Sequence, residues 1–294
     1  MTRLCQTIII LCSLLATIAV QASSLERLFA PKAELWQHWL SHDPASSLSI
    51  NHQQWHHFLQ ANVVIGPDNI NRLHYVAVSD KDKTDLKRYI TDLSNIKITQ
   101  YSRKQQLPFW INLYNALTTQ IILEHYPLES IRDIDISPGF FSDGPWDKKI
   151  IVIQKQSISL NDIEHRILRP IWKDLRIHYA LNCASLGCPN LQNVAFTQQN
   201  IERLFERSMR DYINHPRGVE VVDGKVNLSS IYNWFQDDFG SNEQDVLKHL
   251  RQYAKPELAS QLSNINSVNH YDYDWTLIDT HPYIQSDETN EAFE

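Results

Sequence analysis

The residues whose types can do chemistry gather in three stretches of the chain. Cys183 and Cys188 stand in Ile177-His178-Tyr179-Ala180-Leu181-Asn182-Cys183-Ala184-Ser185-Leu186-Gly187-Cys188-Pro189, where an apolar element runs into a loop holding Gly and Pro. A cysteine at such a junction becomes nucleophilic when a base or a helix N-terminus lowers its pKa. His178 lies five residues before Cys183, and His165, beside Glu164, is a second candidate base. Asn112 and Asn115 share one stripe of a strongly apolar helix and supply amides that can orient a histidine or hold a carbonyl. A Cys–His–Asn arrangement for thiol catalysis can therefore be drawn from Cys183, His178 or His165, and Asn112 or Asn115, with Glu164 next to the base.

The same residues admit other readings. In an oxidising compartment a close pair of cysteines forms a local disulfide, Cys183–Cys188. A dithiol redox pair is a third reading, although redox pairs usually show C-x-x-C and this chain has C-x4-C followed by Pro189. A structural zinc site needs four ligands, which C-x4-C with only loose histidines does not supply. His52 and His56 fall on one helix face, but no acid or third ligand completes a metal site, so the histidines of this region read as solvated surface. No metal and no cofactor is expected. Tyr271-Asp272-Tyr273-Asp274-Trp275 reads as an edge strand closing the core, or as a cleft wall with Asp274 facing a His or Arg. The two Asn side chains have an equally plain alternative, that of stitching loops to the core.

These groups must be positioned by elements that the pattern of residues predicts. The strongest helix runs from Gln106 to His125, with Pro108 in its first turn, and is apolar almost all round. Ser79-Asp80 caps a helix to about Leu93, and Asn161-Asp162 caps a short one to Leu168. Leu73–Val78, Lys149–Ile153 and Ser157–Leu160 read as strands, Ile177–Leu181 as a short buried strand or helix end, and Thr197–Ile213 as a helix. Val219–Val222 and Lys225–Leu228, joined by Asp223-Gly224, form the clearest hairpin. Helices follow over Ser230–Phe239 and Glu243–Tyr253, then an extended segment over Tyr271–Leu277. Leu25 to about Val63 reads as amphipathic helices. Helices and strands mix without regular alternation, so the expected class is α+β, helix-rich, one main domain with a few short strands including a hairpin near 219–228.

Composition bounds the rest. The 294 residues are 43% hydrophobic and 21% charged, a globular mix that excludes a disordered or collagen-like chain. The net charge of -7 and the lack of a basic face exclude nucleic acid as the expected partner; the ligand or substrate is unknown. Arg3, the uncharged run Ile8–Val20 and Val20-Gln21-Ala22 predict a signal peptide over 1–22, cut after Ala22. Cys5 and Cys12 leave with it. The run is short for a bilayer span, which needs about 20 residues, so no stable span is expected in the mature chain. The expected order is signal peptide 1–22, helical N-terminal extension 23–100, main domain 101–280 and a flexible acidic tail 281–294, in an exported, periplasmic or secreted protein.

Four segments in order resemble the domain of unknown function 547 family. They are Leu107-Pro108-Phe109-Trp110-Ile111-Asn112-Leu113-Tyr114-Asn115-Ala116-Leu117-Thr118, Asp162-Ile163-Glu164-His165 with Ile167-Leu168-Arg169-Pro170, the stretch from His178 to Leu191, and Leu228-Ser229-Ser230-Ile231-Tyr232-Asn233-Trp234-Phe235 with Asp237-Asp238-Phe239. The resemblance spans Gln106 to Gly240, with Tyr273-Asp274-Trp275 as part of it. It implies little chemistry. Some members are joined to glutaredoxin-like domains, which implies thiol chemistry by association. Two function classes follow from the residues. One is a thiol-dependent hydrolase or transferase, and the other is a cell-envelope binding module with a structural disulfide; a dithiol redox protein stands beside them.

Overall fold

The computed structural model describes residues 26–139 and 143–280. The signal peptide and the acidic tail expected from the sequence lie outside the described residues. The chain is a helix-rich α+β protein with three small sheets among the described residues. It divides into two compact units. Among the described residues the larger comprises Ala33–Tyr212 and 274–280, and the smaller Ile213–Tyr273 and 26–32.

The larger unit is built on helices α1 (Gln53–Asn62), α2 (Asp80–Ser94) and α3 (Arg103–His125). In α2 the N-cap Ser79 accepts the Asp82 N–H at 3.1 Å, and Leu86, Tyr89, Ile90 and Leu93 recur at helical spacing and are buried. Helix α3 is buried on nearly every side, as its apolar sequence requires. It starts three residues before the predicted Gln106, which leaves Pro108 inside the helix rather than in its first turn. The missing N–H there forfeits one bond to the Lys104 carbonyl.

Two antiparallel hairpins accompany these helices. Strands β1 (Val63–Ile65) and β2 (Asn71–Leu73) pair with Val63 opposite Leu73, and β3 (Ile151–Ile153) and β4 (Gln156–Ile158) pair with Ile151 opposite Ile158. The predicted strand Leu73–Val78 is corrected here: only Leu73 pairs, and Tyr75–Ala77 form a 3-10 turn that buries Tyr75 in the core. The predicted helical run before Val63 is also shortened. Residues 30–52 are irregular apart from a 3-10 turn at Gln37–Leu40, which sets Trp39 edge-on to Trp110.

Asp162–Leu168 forms a π-helical turn that runs into α4 (Arg169–Trp172), and Leu175–Tyr179 is a 3-10 turn. Asn161 does not cap it through its side chain, contrary to expectation. Asp162 turns back instead to take the N–H and hydroxyl of Ser159. Helix α5 (Ile201–Ile213) sets Leu204, Phe205 and Met209 inward.

In the smaller unit, β5 (Val219–Val222), β6 (Lys225–Ser229) and β7 (Val268–Asp272) form one sheet in the order β5-β6-β7, antiparallel then parallel. Asp223 and Gly224 both take positive φ, 50° and 73°, the conformation a two-residue hairpin of this hand demands. The predicted helix Ser230–Phe239 is broken into α6 (Ile231–Trp234) and α7 (Gln236–Phe239). Helix α8 (Glu243–Tyr253) is capped by Asn242, which accepts the N–H groups of Gln244 and Asp245, and α9 (Pro256–Leu262) opens on its proline. Among the described residues no helix is long and apolar enough to cross a membrane.

Candidate functional site

The cysteine loop sits in the larger unit and is hung from α3. Asn115 Oδ1 accepts the Asn182 N–H and its Nδ2 donates to the Ala180 carbonyl, each at 2.9 Å. Asn182 in turn donates to the Pro189 carbonyl at 2.8 Å and accepts the Ala184 N–H at 2.9 Å. The amide of Asn112, one turn away, grips both backbone groups of Phe196, at 2.7 and 3.0 Å. These two Asn side chains therefore hold backbone, and through it the loop, rather than standing beside a histidine.

Within the loop, Cys183 and Cys188 form a disulfide with Cα atoms 6.1 Å apart. Ala184 takes a left-handed φ of 63°, which its small side chain tolerates better than a branched one would. The Cys183 N–H points at Cys188 Sγ, 2.8 Å away, and the Cys188 N–H bonds the Ser185 carbonyl. Ser185 Oγ lies 3.2 Å from Cys183 Sγ and 3.6 Å from Cys188 Sγ. Cys188 is 2% exposed, whereas Cys183 is half-buried.

The outer side of the loop is equally held. Leu186 and Gly187 donate to the carbonyls of Thr276 and Asp274, Ile278 donates to Ala184, and the Tyr212 hydroxyl donates to the Gly187 carbonyl at 2.6 Å. The Asp274 carboxylate accepts the Thr276 N–H at 2.9 Å. It has no His or Arg within ion-pair distance among the described residues; Asp274 holds the loop through its carbonyl, and Trp275 packs edge-on against Trp146.

A second cluster centres on Glu164. Its Oε1 is 3.7 Å from His178 Nδ1 and 4.0 Å from His165 Nδ1, too long for hydrogen bonds but close for charge. Glu164 and His165 ride on the π-helical turn, and His178 on the 3-10 turn that leads into the cysteine loop. Arg169 Nη1 lies 2.9 Å from His165 Nδ1. A guanidinium only donates, so in this contact Arg169 donates and His165 Nδ1 accepts. All three of Glu164, His165 and His178 are largely buried. Of the residues the sequence singles out, the structure thus forms two groups: Cys183 with Cys188, and Glu164 with His165 and His178.

Ser185 and Arg169 were not among the predicted site residues. Ser185 was visible as a hydroxyl two positions from Cys183, and Arg169 as a cation four positions from His165 on one helical face. His52 needs a correction. It is buried, not solvated, with Nδ1 2.7 Å from the Tyr89 hydroxyl, and burial lowers its pKa to about 4. Apolar Trp55, Phe58 and Leu59 on the same helix draw that face inward. Among the described residues no three His, Cys, Asp or Glu side chains are grouped to hold a metal.

Residues 98–213 match the model of the family described as "Protein of unknown function, DUF547". The matched stretch contains three of the four segments that resemble that family and ends before Leu228–Phe239. No curated protein and no solved structure matches the chain.

Proposed function

We propose that the chain, a DUF547-family protein over residues 98–213, is an exported thiol–disulfide exchange protein with Cys183 and Cys188 as its working pair. Export is supported by Arg3, the uncharged run Ile8–Val20 and the small-residue site ending at Ala22. The observation that carries the exchange reading is the asymmetry of the two sulfurs. Cys183 is half-buried and reachable, while buried Cys188 Sγ faces the Cys183 N–H at 2.8 Å; the Ser185 hydroxyl lies near both sulfurs. A substrate thiolate attacks Cys183 Sγ, a mixed disulfide forms, and the Cys183–Cys188 bond breaks. Cys188 leaves as a thiolate, which the Cys183 N–H stabilises, and a better-stabilised leaving thiolate departs faster. A second thiolate of the substrate then attacks the substrate sulfur of the mixed disulfide and releases Cys183. The substrate dithiol loses two electrons and two protons, and the protein pair gains them. Exchange with another disulfide runs the same steps in reverse.

The hydrogen bonds around the loop support this reading further, because the loop keeps its anchors when the sulfurs part. The test is trapping. Cys188→Ser, incubated with a peptide disulfide, is expected to accumulate a mixed disulfide at Cys183, read by intact mass; Cys183→Ser is not. Failure of both variants to trap, with sulfurs that stay closed in reductant until the protein unfolds, would leave a binding module with a structural disulfide.

The Glu164–His178 approach favours a second reading, a thiol hydrolase or transferase active in the reduced state. Cys183 would attack a carbonyl, His178 or His165 would take the proton, and Asn112 and Asn115 would act through the loops they hold. Hydrolysis of an activated ester only after reduction, with kcat reduced by Glu164→Gln, would support it over exchange.

A further inference from the structure

A cleft of about 560 Å³ opens in the larger unit away from the cysteine loop in sequence, lined by three stretches: 42–49, 102–105 and 198–199. That volume is in the range of small-ligand sites. Its charge is one-sided. Arg103 and Lys104 line it and no Asp or Glu does, on a chain whose net charge is -7. Arg103 is half-buried, and its guanidinium donates to the carbonyls of Trp39 and Leu40 and to the Gln106 side chain, all neutral, while lying over the Trp172 ring at 5.4 Å. Neither cation has a carboxylate within ion-pair distance among the described residues. Asp43, inside the first stretch, turns its carboxylate to the Ala45 N–H.

A cation taken partly out of water without a counter-charge costs free energy that an anion would offset. Burial pushes the Arg103 guanidinium below its ordinary pKa, in keeping with that cost. The remaining lining is mostly serine and glutamine, with Pro44 and Leu48 the apolar members. The Gln105 amide donates to Gln198 at 2.9 Å and accepts the Ile50 N–H at 3.1 Å, which ties the three stretches together before any ligand arrives. A cationic ligand would be repelled.

We propose that this cleft binds a phosphorylated or sulfated saccharide, its oxyanion on the Lys104 ammonium and its hydroxyls on the serines and glutamines. Calorimetric titration of the purified full chain with inorganic pyrophosphate and with a sulfated heparin disaccharide tests it. At least one probe is expected to bind with Kd below about 1 mM at low salt, and Lys104→Glu to weaken it at least about tenfold, a change of about 1.4 kcal/mol, at unchanged Tm. Lys104 is the primary variant because Arg103 also holds Trp39 and Leu40. Tighter binding of the disaccharide points to the sulfated ligand, and tighter binding of pyrophosphate to the phosphorylated one. No binding of either probe up to about 10 mM, or equal binding by Lys104→Glu, overturns the site. Cys183 trapping should be unchanged in this variant, so the two proposals stand or fall separately.

Discussion

Asn115 closes a two-bond clamp across Leu181: its amide accepts the N–H of Asn182 and donates to the carbonyl of Ala180, both at 2.9 Å and both in the core. Asn182 then passes the restraint on to Ala184 and Pro189, either side of the disulfide. Asn115→Ala strands one buried N–H and one buried carbonyl. Each such group costs roughly 1–3 kcal/mol, so the variant is expected to lose about 3 kcal/mol of stability in urea unfolding. Asn112→Ala should lose a similar amount through Phe196, but leave the reactivity of Cys183 toward thiols unchanged. Asn115→Ala should change it.

The polar stripe on α3 was legible because Asn112 and Asn115 interrupt an apolar run with helical spacing, and buried amides must find partners. The Asp223-Gly224 hairpin was legible for the same kind of reason, since few dipeptides take two positive φ values. The cysteine pair left three readings open, as sequence spacing gives neither exposure nor the direction of N–H groups. His52 was misread because its neighbours on the helix decide burial, and Trp55, Phe58 and Leu59 outweighed one imidazole. Glu164, His165 and His178 were legible as residue types, but their meeting was not, because the π-helical turn shifts the register that places Glu164, His165 and Arg169.

Reducing the disulfide should destabilise the protein only modestly. The closed ring spans Cys183 to Cys188, and a loop of that length restricts the unfolded chain by about 2 kcal/mol. The surrounding hydrogen bonds persist. Cys183→Ser and Cys188→Ser should therefore both fold, with urea midpoints lowered to a similar extent, and circular dichroism should overlay the parent. Unfolding on reduction would show that the disulfide, not the Asn115 clamp, holds the loop.

Stability should fall as the pH drops through the histidine range. Burial lowers His52 and His249 to about 4 from 6.5. The unfolded chain then takes up protons first, so stability is fully present above about pH 6.5 and is lost between there and about pH 4. His52 alone accounts for a change on the order of 3 kcal/mol. Its Nε2 is buried without a hydrogen-bond partner, so the charged ring would strand a donor. Urea midpoints at pH 7 and pH 4.5 should differ clearly in the parent. In His52→Leu the difference should shrink by about half, and an unchanged difference would assign the effect elsewhere.

Asp162 fixes the turn that carries Glu164 and His165. Its carboxylate, itself buried, accepts the Ser159 N–H and hydroxyl on one oxygen and Arg166 at 2.9 Å on the other, and Lys149 joins it from the hairpin side. Burial alone would raise its pKa, but hydrogen bonds from Lys149, Ser159 and Arg166 outweigh that and leave it below the ordinary value. The depressed pKa means this contribution is present above about pH 3.8 and is lost as pH falls further, below the window in which the histidines act. Asp162→Asn keeps the shape and removes the charge. Lys149 and Arg166 are partly exposed and can return to water, so the loss should be about 2 kcal/mol rather than that of a fully buried pair. With the turn loosened, Glu164 should no longer stay beside His178, and the His178 imidazole resonances should move in NMR spectra taken at pH 7 while those of His249 stay put. A variant that loses stability without moving His178 would show that the turn holds its register by backbone bonds alone.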